Sequence, residues 1–424
     1  MKILFENVKL LSGEQVYVTV DGARFDYVGV ERPSGKFDQI KNCRGALLIP
    51  AFYNTHCHAA MTLFRGVGDG LPLSRWLNEK IFPAEDKLTW DATYWATLLG
   101  CAEMISSGTV SFSDMYMFED AVADAVIECG VKANLARGLV SFDENADFAQ
   151  DTRFCEAKEL YNRYNGAEDD RIKIEMSLHA EYTNVEAYCA YVADYCRAHD
   201  IPIQLHLSET RDEHEKCIAK YGVTPTGFFE RAGVLDAAVT AAHCVWVSDE
   251  DIELLAQNKV SVSHNPSSNL KLGSGVMPYS KIAASGVLVA LGTDGAASNN
   301  SLNIMKEMQL AALLHKGMQY DAAAAGAREM LDVATVNGAK VQRREDCVCI
   351  AHGYRADAVL IDLNAPNTLP SSDLYATLMY SADRSNVLMT MCDGRILFEN
   401  GEYKSIDIER VKFNFSRCVS QIFE

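Results

Sequence analysis

His56 and His58 stand one residue apart in NTHCH, within an apolar run. On an extended strand side chains alternate, so both imidazoles point the same way and Cys57 points opposite. Two converging imidazoles suit a borderline divalent ion such as zinc. A pair of hydrogen-bonded core histidines is the bland reading, but His206 and Asp294 end later apolar runs and offer two further donors. Glu209 follows His206 by three residues. A water activated beside a cation needs a base that is not itself a ligand, and Glu209 is placed for that role rather than for a solvated loop. Asp294, in LGTDGAASNNS, could instead cap a helix, although the asparagines after it do that better.

These residues need a scaffold that brings strand ends together. Eight apolar, β-rich runs occur at 47–58, 109–115, 132–140, 172–180, 201–209, 238–244, 259–265 and 287–294, with helical periodicity between most of them. Eight buried strands alternating with helices predict an α/β fold, a closed (β/α)8 TIM barrel. His56, His58, Asp114, Arg137, His179, His206, His243, His264 and Asp294 all fall at or near C-terminal strand ends, the face that carries active sites in such barrels. Residues 1–49 and the stretch from 346 read as short strands with turn signals such as Asp393-Gly394 and Asn400-Gly401. Neither end has enough strands alone. The expected organisation is therefore a barrel over 50–345 and one small β-sandwich domain built from 1–49 and 346–424.

Composition narrows the partners. A chain of 424 residues with a formal net charge of -19 is a poor match for a phosphate backbone, so no nucleic acid is expected. The start, MKILFENVKLLSGEQ, lacks a secretory apolar core, and no run approaches ~18 apolar residues, so no membrane is expected either. Thirteen scattered cysteines read as reduced thiols, which places the chain in the cytoplasm. Cys347-x-Cys349 stands without the further ligands a zinc site needs. A homo-oligomer is compatible with all of this.

NTHCHAAMTLFRG, HLSET, AAHC, SHNPSSNLKLGSG and LGTDGAASNNSLN closely resemble the 5-methylthioadenosine/S-adenosylhomocysteine deaminases of the amidohydrolase superfamily, over nearly the whole chain. The resemblance implies one divalent metal per chain, zinc before iron or manganese, held by His56, His58, His206 and Asp294. The strand-4 end, SLHAEYT, supplies no lysine, as in the mononuclear branch. Glu209 would carry a proton from water to the ring N1 of an adenosine-type nucleoside. His243 would polarise the attacking water, and Asp294 would relay a second proton to the leaving amine. By the same resemblance Glu85 would accept hydrogen bonds from ribose hydroxyls, His179 would touch the nucleoside, and Arg137 and Arg153 would lie near its tail. An unpaired guanidinium within an apolar strand would be costly, which favours function at Arg137; Arg153 reads equally as a surface charge. Trp76 would line the pocket or simply fill core. His264 reads as structural or supporting. Where the family pattern is PHAPYT, residues 178–183 read LHAEYT, so Glu181 adds a carboxylate that could alter the preferred 5′ substituent.

Other readings compete. A cytidine-deaminase-type zinc site needs Pro-Cys-x-x-Cys, which is absent from the sequence. A deaminase or dechlorinase acting on guanine, a pterin or a triazine would use the same metal site, and only the pocket separates it. A non-catalytic barrel would tend to have lost ligands, and all four are here, with Glu209.

Overall fold

The computed structural model describes residues 1–423. All eight expected barrel strands form: β1 (Phe52–Cys57), β2 (Thr109–Tyr116), β3 (Lys132–Arg137), β4 (Ile172–Ile174, resuming after Glu175 as Met176–Leu178), β5 (Ile203–Leu207), β6 (Val239–His243), β7 (Ser261–His264) and β8 (Val289–Leu291). Every neighbouring pair is parallel, β1 through β4 in one sheet and β4 through β8 in the other. Parallel strands covered by helices bury both faces, which explains their nearly unbroken apolar sequences.

The two sheets meet twice. At Glu175 the strand changes partners: Ile172–Ile174 pairs with β3, while Met176–Leu178 pairs with β5. The Glu175 carboxylate, almost fully buried, accepts from Asn134 at 2.6 Å and pairs with Arg343. At the other seam the amides of Thr293 and Asp294, just past β8, donate to the carbonyl of His56 at 3.1 and 3.0 Å, and Thr55 Oγ1 donates to the Leu291 carbonyl. The last strand thus lies against the first.

Strands from both chain ends form one nine-stranded sheet. Leu47–Pro50 pairs antiparallel with Ala358–Ile361, joining the N-terminal strands to the C-terminal ones. The run read as a single strand from 47 is therefore two elements: Leu47–Pro50 belongs to this sheet, and Phe52–Cys57 starts the barrel. The hairpin turns fall where expected. Asp393 and Gly394 have φ of 46° and 69°, Asn400 and Gly401 50° and 86°, the pair of left-handed residues that matches strand twist. At Gly394 a Cβ would stand 2.1 Å from the Gly22 carbonyl oxygen, so no other residue fits.

The C-terminal stretch is not all strand. Leu374–Tyr380 and Ile408–Phe423 are helices. The second buries Val411, Cys418 and Ile422 at helical spacing and packs on helix Trp90–Ile105, so this part of 346–424 lies against the barrel rather than in the terminal sheet. A separate apolar cluster, including Phe5, Val18, Phe25, Leu48 and Met389, lies under the terminal sheet. Between the sheet and the barrel, Lys132 Nζ is buried against Asp357 at 2.5 Å and Asp393 at 2.7 Å, and Tyr53 donates to Asp357 at 2.6 Å. Among the described residues no helix is long and apolar enough to cross a membrane.

Candidate active site

The strand ends deliver the histidines to one place. His56 and His58, on β1 and just beyond it, have ring centroids 4.9 Å apart; His206, from β5, lies 4.9 Å from His56, and His243, from β6, 5.4 Å. Asp294, in the left-handed region at φ 58°, brings Oδ1 to 3.2 Å from His58 Nε2 and 3.6 Å from His56 Nε2. Donor atoms of His56, His58 and His206 lie within 4.8 Å of one another, and so do those of His56, His243 and Asp294.

The hydrogen bonds around these rings fix which nitrogen faces inward. His58 Nδ1 donates to the Met115 carbonyl, and His206 Nδ1 to the His179 carbonyl, both at 2.7 Å. Each leaves Nε2 with a free lone pair, as a ligand needs. His56 Nε2 is buried with no hydrogen-bond partner. The outer oxygen of Asp294 accepts from Ser268 at 2.6 Å and Ser298 at 2.8 Å, leaving Oδ1 toward the rings. Buried imidazole lone pairs facing a carboxylate oxygen fit a divalent cation. The local field favours a positive charge at this point, which a proton on His58 or a cation can supply. Burial works against a charged His58, yet the hydrogen bond and charge of Asp294, with Asp114, push it up to about 9. Burial likewise works to raise Asp294, but the adjoining rings of His56 and His58 hold it well below the usual carboxylate range.

Glu209 follows β5, directly before the Thr210 cap of helix Arg211–Tyr221. It is buried, with Oε2 3.9 Å from His243 Nε2 and Oε1 3.5 Å from the Ser274 hydroxyl. Burial, reinforced by Asp294, raises its carboxyl against the pull of His243 and His58. His243 Nδ1 donates to Asn269 Oδ1 at 2.8 Å, which leaves Nε2 as an acceptor facing Glu209.

A cavity of about 350 Å³ opens over this cluster, lined by His58, His206, Glu209, His243 and Asp294 at its base. Glu85, Trp76, Arg137, Arg153 and His179 line it as well, so every expected contact residue reaches the same space; His56 lies beneath. Glu85 accepts from Tyr116 OH at 2.6 Å, and burial raises its carboxyl despite that bond. Trp76 donates to the Val67 carbonyl at 2.9 Å. His179 Nδ1 lies 3.1 Å from Thr183 Oγ1. Arg137 departs from expectation: its guanidinium is not unpaired but meets Glu156 at 2.8 Å and the Gly138 carbonyl at 2.9 Å. A helix neighbour 19 residues on is invisible to a strand-level reading. Arg153 is exposed in the first turn of helix Thr152–Tyr164. His264 stays outside the cavity, its Nε2 3.0 Å from His315 Nε2 in the core.

Some supporting residues escaped the sequence reading. Ser268, Asn269 and Ser298 sit inside the stretches SHNPSSN and DGAASNN, whose density of short polar side chains in otherwise apolar surroundings was the available signal. Tyr116 carried none, and Glu213 only its Thr-x-x-Glu spacing after Thr210.

Parallel strands whose C-terminal ends gather histidines, an aspartate and a buried glutamate define a metal-dependent hydrolase. The amidohydrolase family model matches residues 47–397, and the chain belongs to that family. It is 42% identical to a 5-methylthioadenosine/S-adenosylhomocysteine deaminase of Dictyoglomus thermophilum, with 100% of both chains covered. It is 40% identical to a 5'-deoxyadenosine deaminase of Methanothermobacter thermautotrophicus, over 92% of this chain and 91% of the other. Among solved structures, an adenosine deaminase from Xanthomonas campestris with bound zinc superposes with a TM-score of 0.93 at 30% identity, covering 99% of this chain and 98% of that one.

Proposed function

We propose that the protein hydrolytically deaminates the adenine ring of adenosine-type nucleosides, with S-adenosylhomocysteine, 5-methylthioadenosine and adenosine as substrates. The observation that carries this reading is Glu209, buried beside His243 and the histidine–aspartate cluster on the floor of a cavity that also holds Glu85. His56, His58, His206 and Asp294 would hold one divalent cation, for which zinc is the choice best suited to imidazole and carboxylate donors. Bound there, the cation would supply Lewis acidity, which brings the pKa of a metal-bound water down to about 7 in such sites.

The chain's own groups do the rest. Glu209 takes a proton from the attacking water and delivers it to ring N1, which makes C6 electrophilic. His243 Nε2 accepts a hydrogen bond from the water and orients it as oxygen adds at C6. Asp294 passes the second proton to the amine, ammonia leaves, and the 6-oxo purine remains. Glu85, held by Tyr116, accepts from the ribose hydroxyls; His179 and Trp76 bound the nucleoside, and Arg137 and Arg153 face its tail.

The two parallel sheets are read as halves of one closed barrel over 50–345, supported by the hydrogen bonds between β1 and the end of β8. The terminal strands over 1–49 and 346–424 are read as a small β-sandwich domain, supported by their own apolar cluster. The thirteen unpaired thiols support a cytoplasmic setting. Ammonia release from a panel of the three nucleosides, free adenine, guanine and a triazine, with metal analysis of the same sample, tests the assignment. Faster turnover of guanine or the triazine than of any nucleoside would overturn it.

A further inference from the structure

The loop after β5 decides where Glu209 stands, and two buried acids lie beneath it. Glu213, in the first turn of helix Arg211–Tyr221, accepts the backbone N–H of Glu209 at 2.9 Å and of Thr210 at 3.2 Å through Oε2. Its other oxygen, Oε1, is buried with no donor. Glu181 belongs to the turn Glu181–Thr183, which packs against this helix. It is 1% exposed, and its Oε2 is also buried with no donor. The two carboxyls adjoin closely enough for a side-chain hydrogen bond; buried carboxylate oxygens without donors are costly, and a single proton shared by the pair would relieve both.

We propose that Glu181 and Glu213 share one hydrogen-bonded proton, and that Glu181 is thereby a positioning residue for Glu209. The proposal rests on the reading of Glu209 as the proton carrier. Burial pushes Glu181 up to about 7 and raises Glu213 well above its usual range, the charges of Glu181 and Glu209 adding to the second. The pair therefore keeps a proton at neutral pH. Glu209, Tyr182, Cys189, Cys217 and Lys220 face it, and Arg231 stands by Cys217 while paired with Glu186. Burial raises the Tyr182 hydroxyl and both thiols, Cys217 to about 12, so these stay neutral while the pair ionises. Loss of the last proton leaves two anions in contact, which pushes Glu213 away from the Glu209 amide. Turnover then falls on the alkaline side, with little change in KM.

The holoenzyme tests this through pH profiles of kcat and KM on 5-methylthioadenosine for the parent, Glu181→Gln, Glu181→Met and Glu209→Gln, with infrared spectra of the carboxyl region. Glutamine keeps a hydrogen bond to Glu213 but cannot ionise. Glu181→Gln should hold kcat within about twofold near neutrality and move the alkaline fall upward by about one pH unit or more; Glu181→Met should lower kcat about tenfold with KM within about twofold. The protonated-carboxyl band of the parent should diminish in Glu181→Gln. An unchanged alkaline limb and an unchanged band in Glu181→Gln would overturn the proposal, whether or not the methionine variant folds. An active Glu209→Gln would instead overturn the reading of Glu209, and the band, read without turnover, would still decide whether the proton is shared.

Discussion

At Glu209 burial and the charge of Asp294 oppose ionisation, while His243 and His58 favour it. A carboxyl so placed releases its proton above the ordinary range near 4.3. Two outcomes follow. The acid limb of kcat/KM should lie above that range, because Glu209 must be ionised to take the proton from water. Glu209→Gln should lower kcat by about 10²–10⁴ while elemental analysis still finds one cation per chain, since the amide keeps the shape and the residue is not a proposed ligand. At the cavity mouth, Arg153→Met should lower kcat/KM for S-adenosylhomocysteine about tenfold, the scale of one lost hydrogen bond to a charged group. 5-Methylthioadenosine has no carboxylate and should be affected far less; equal losses in a two-substrate assay would make Arg153 structural.

At the scale of elements, legibility followed what each element buries. The barrel strands were readable because both faces are apolar and the interruptions are the functional residues themselves, as in QLHLSE and AVTAAHC. The change of partners at Glu175 was not, because it depends on Arg343 and Asn134, which no local pattern links. Helix Ile408–Phe423 was missed because its buried face, Val411, Cys418 and Ile422, is sparse and gains meaning only against helix Trp90–Ile105. Glu213 went unread: its Thr-x-x-Glu spacing after Thr210 marks a capping box, but nothing local reveals its hold on the Glu209 amide. Thr210→Ala should therefore destabilise the fold by about 0.5–2 kcal/mol, read as a lower denaturant midpoint, and weaken turnover with the cation retained.

For the whole molecule, the joint between the terminal sheet and the barrel rests on Lys132 between Asp357 and Asp393. Burial works against each charge, but the partners win: Asp357 lies below its ordinary range and Lys132 above its own. The stability from Asp357 is present above about 3.9 and lost as pH falls below it; that from Lys132 is present below about 10.4 and lost as pH rises beyond. Lys132→Met would leave the buried Asp357 without a cation, while Asp393 keeps Arg355 at 3.2 Å, and should cost about 3–5 kcal/mol, seen as a lower Tm, with turnover of the folded fraction unchanged. The seam between β1 and β8 bears on biosynthesis. His56 and Asp294 meet only when the last strand has docked on the first. A nascent polypeptide that has left the ribosome only as far as Ser285 exposes His56, His58, His206 and His243 but not yet Asp294. The proposed ligand set is on this account complete only once the eighth strand is in place, and a chelator present during synthesis and then removed should leave the finished enzyme fully loadable.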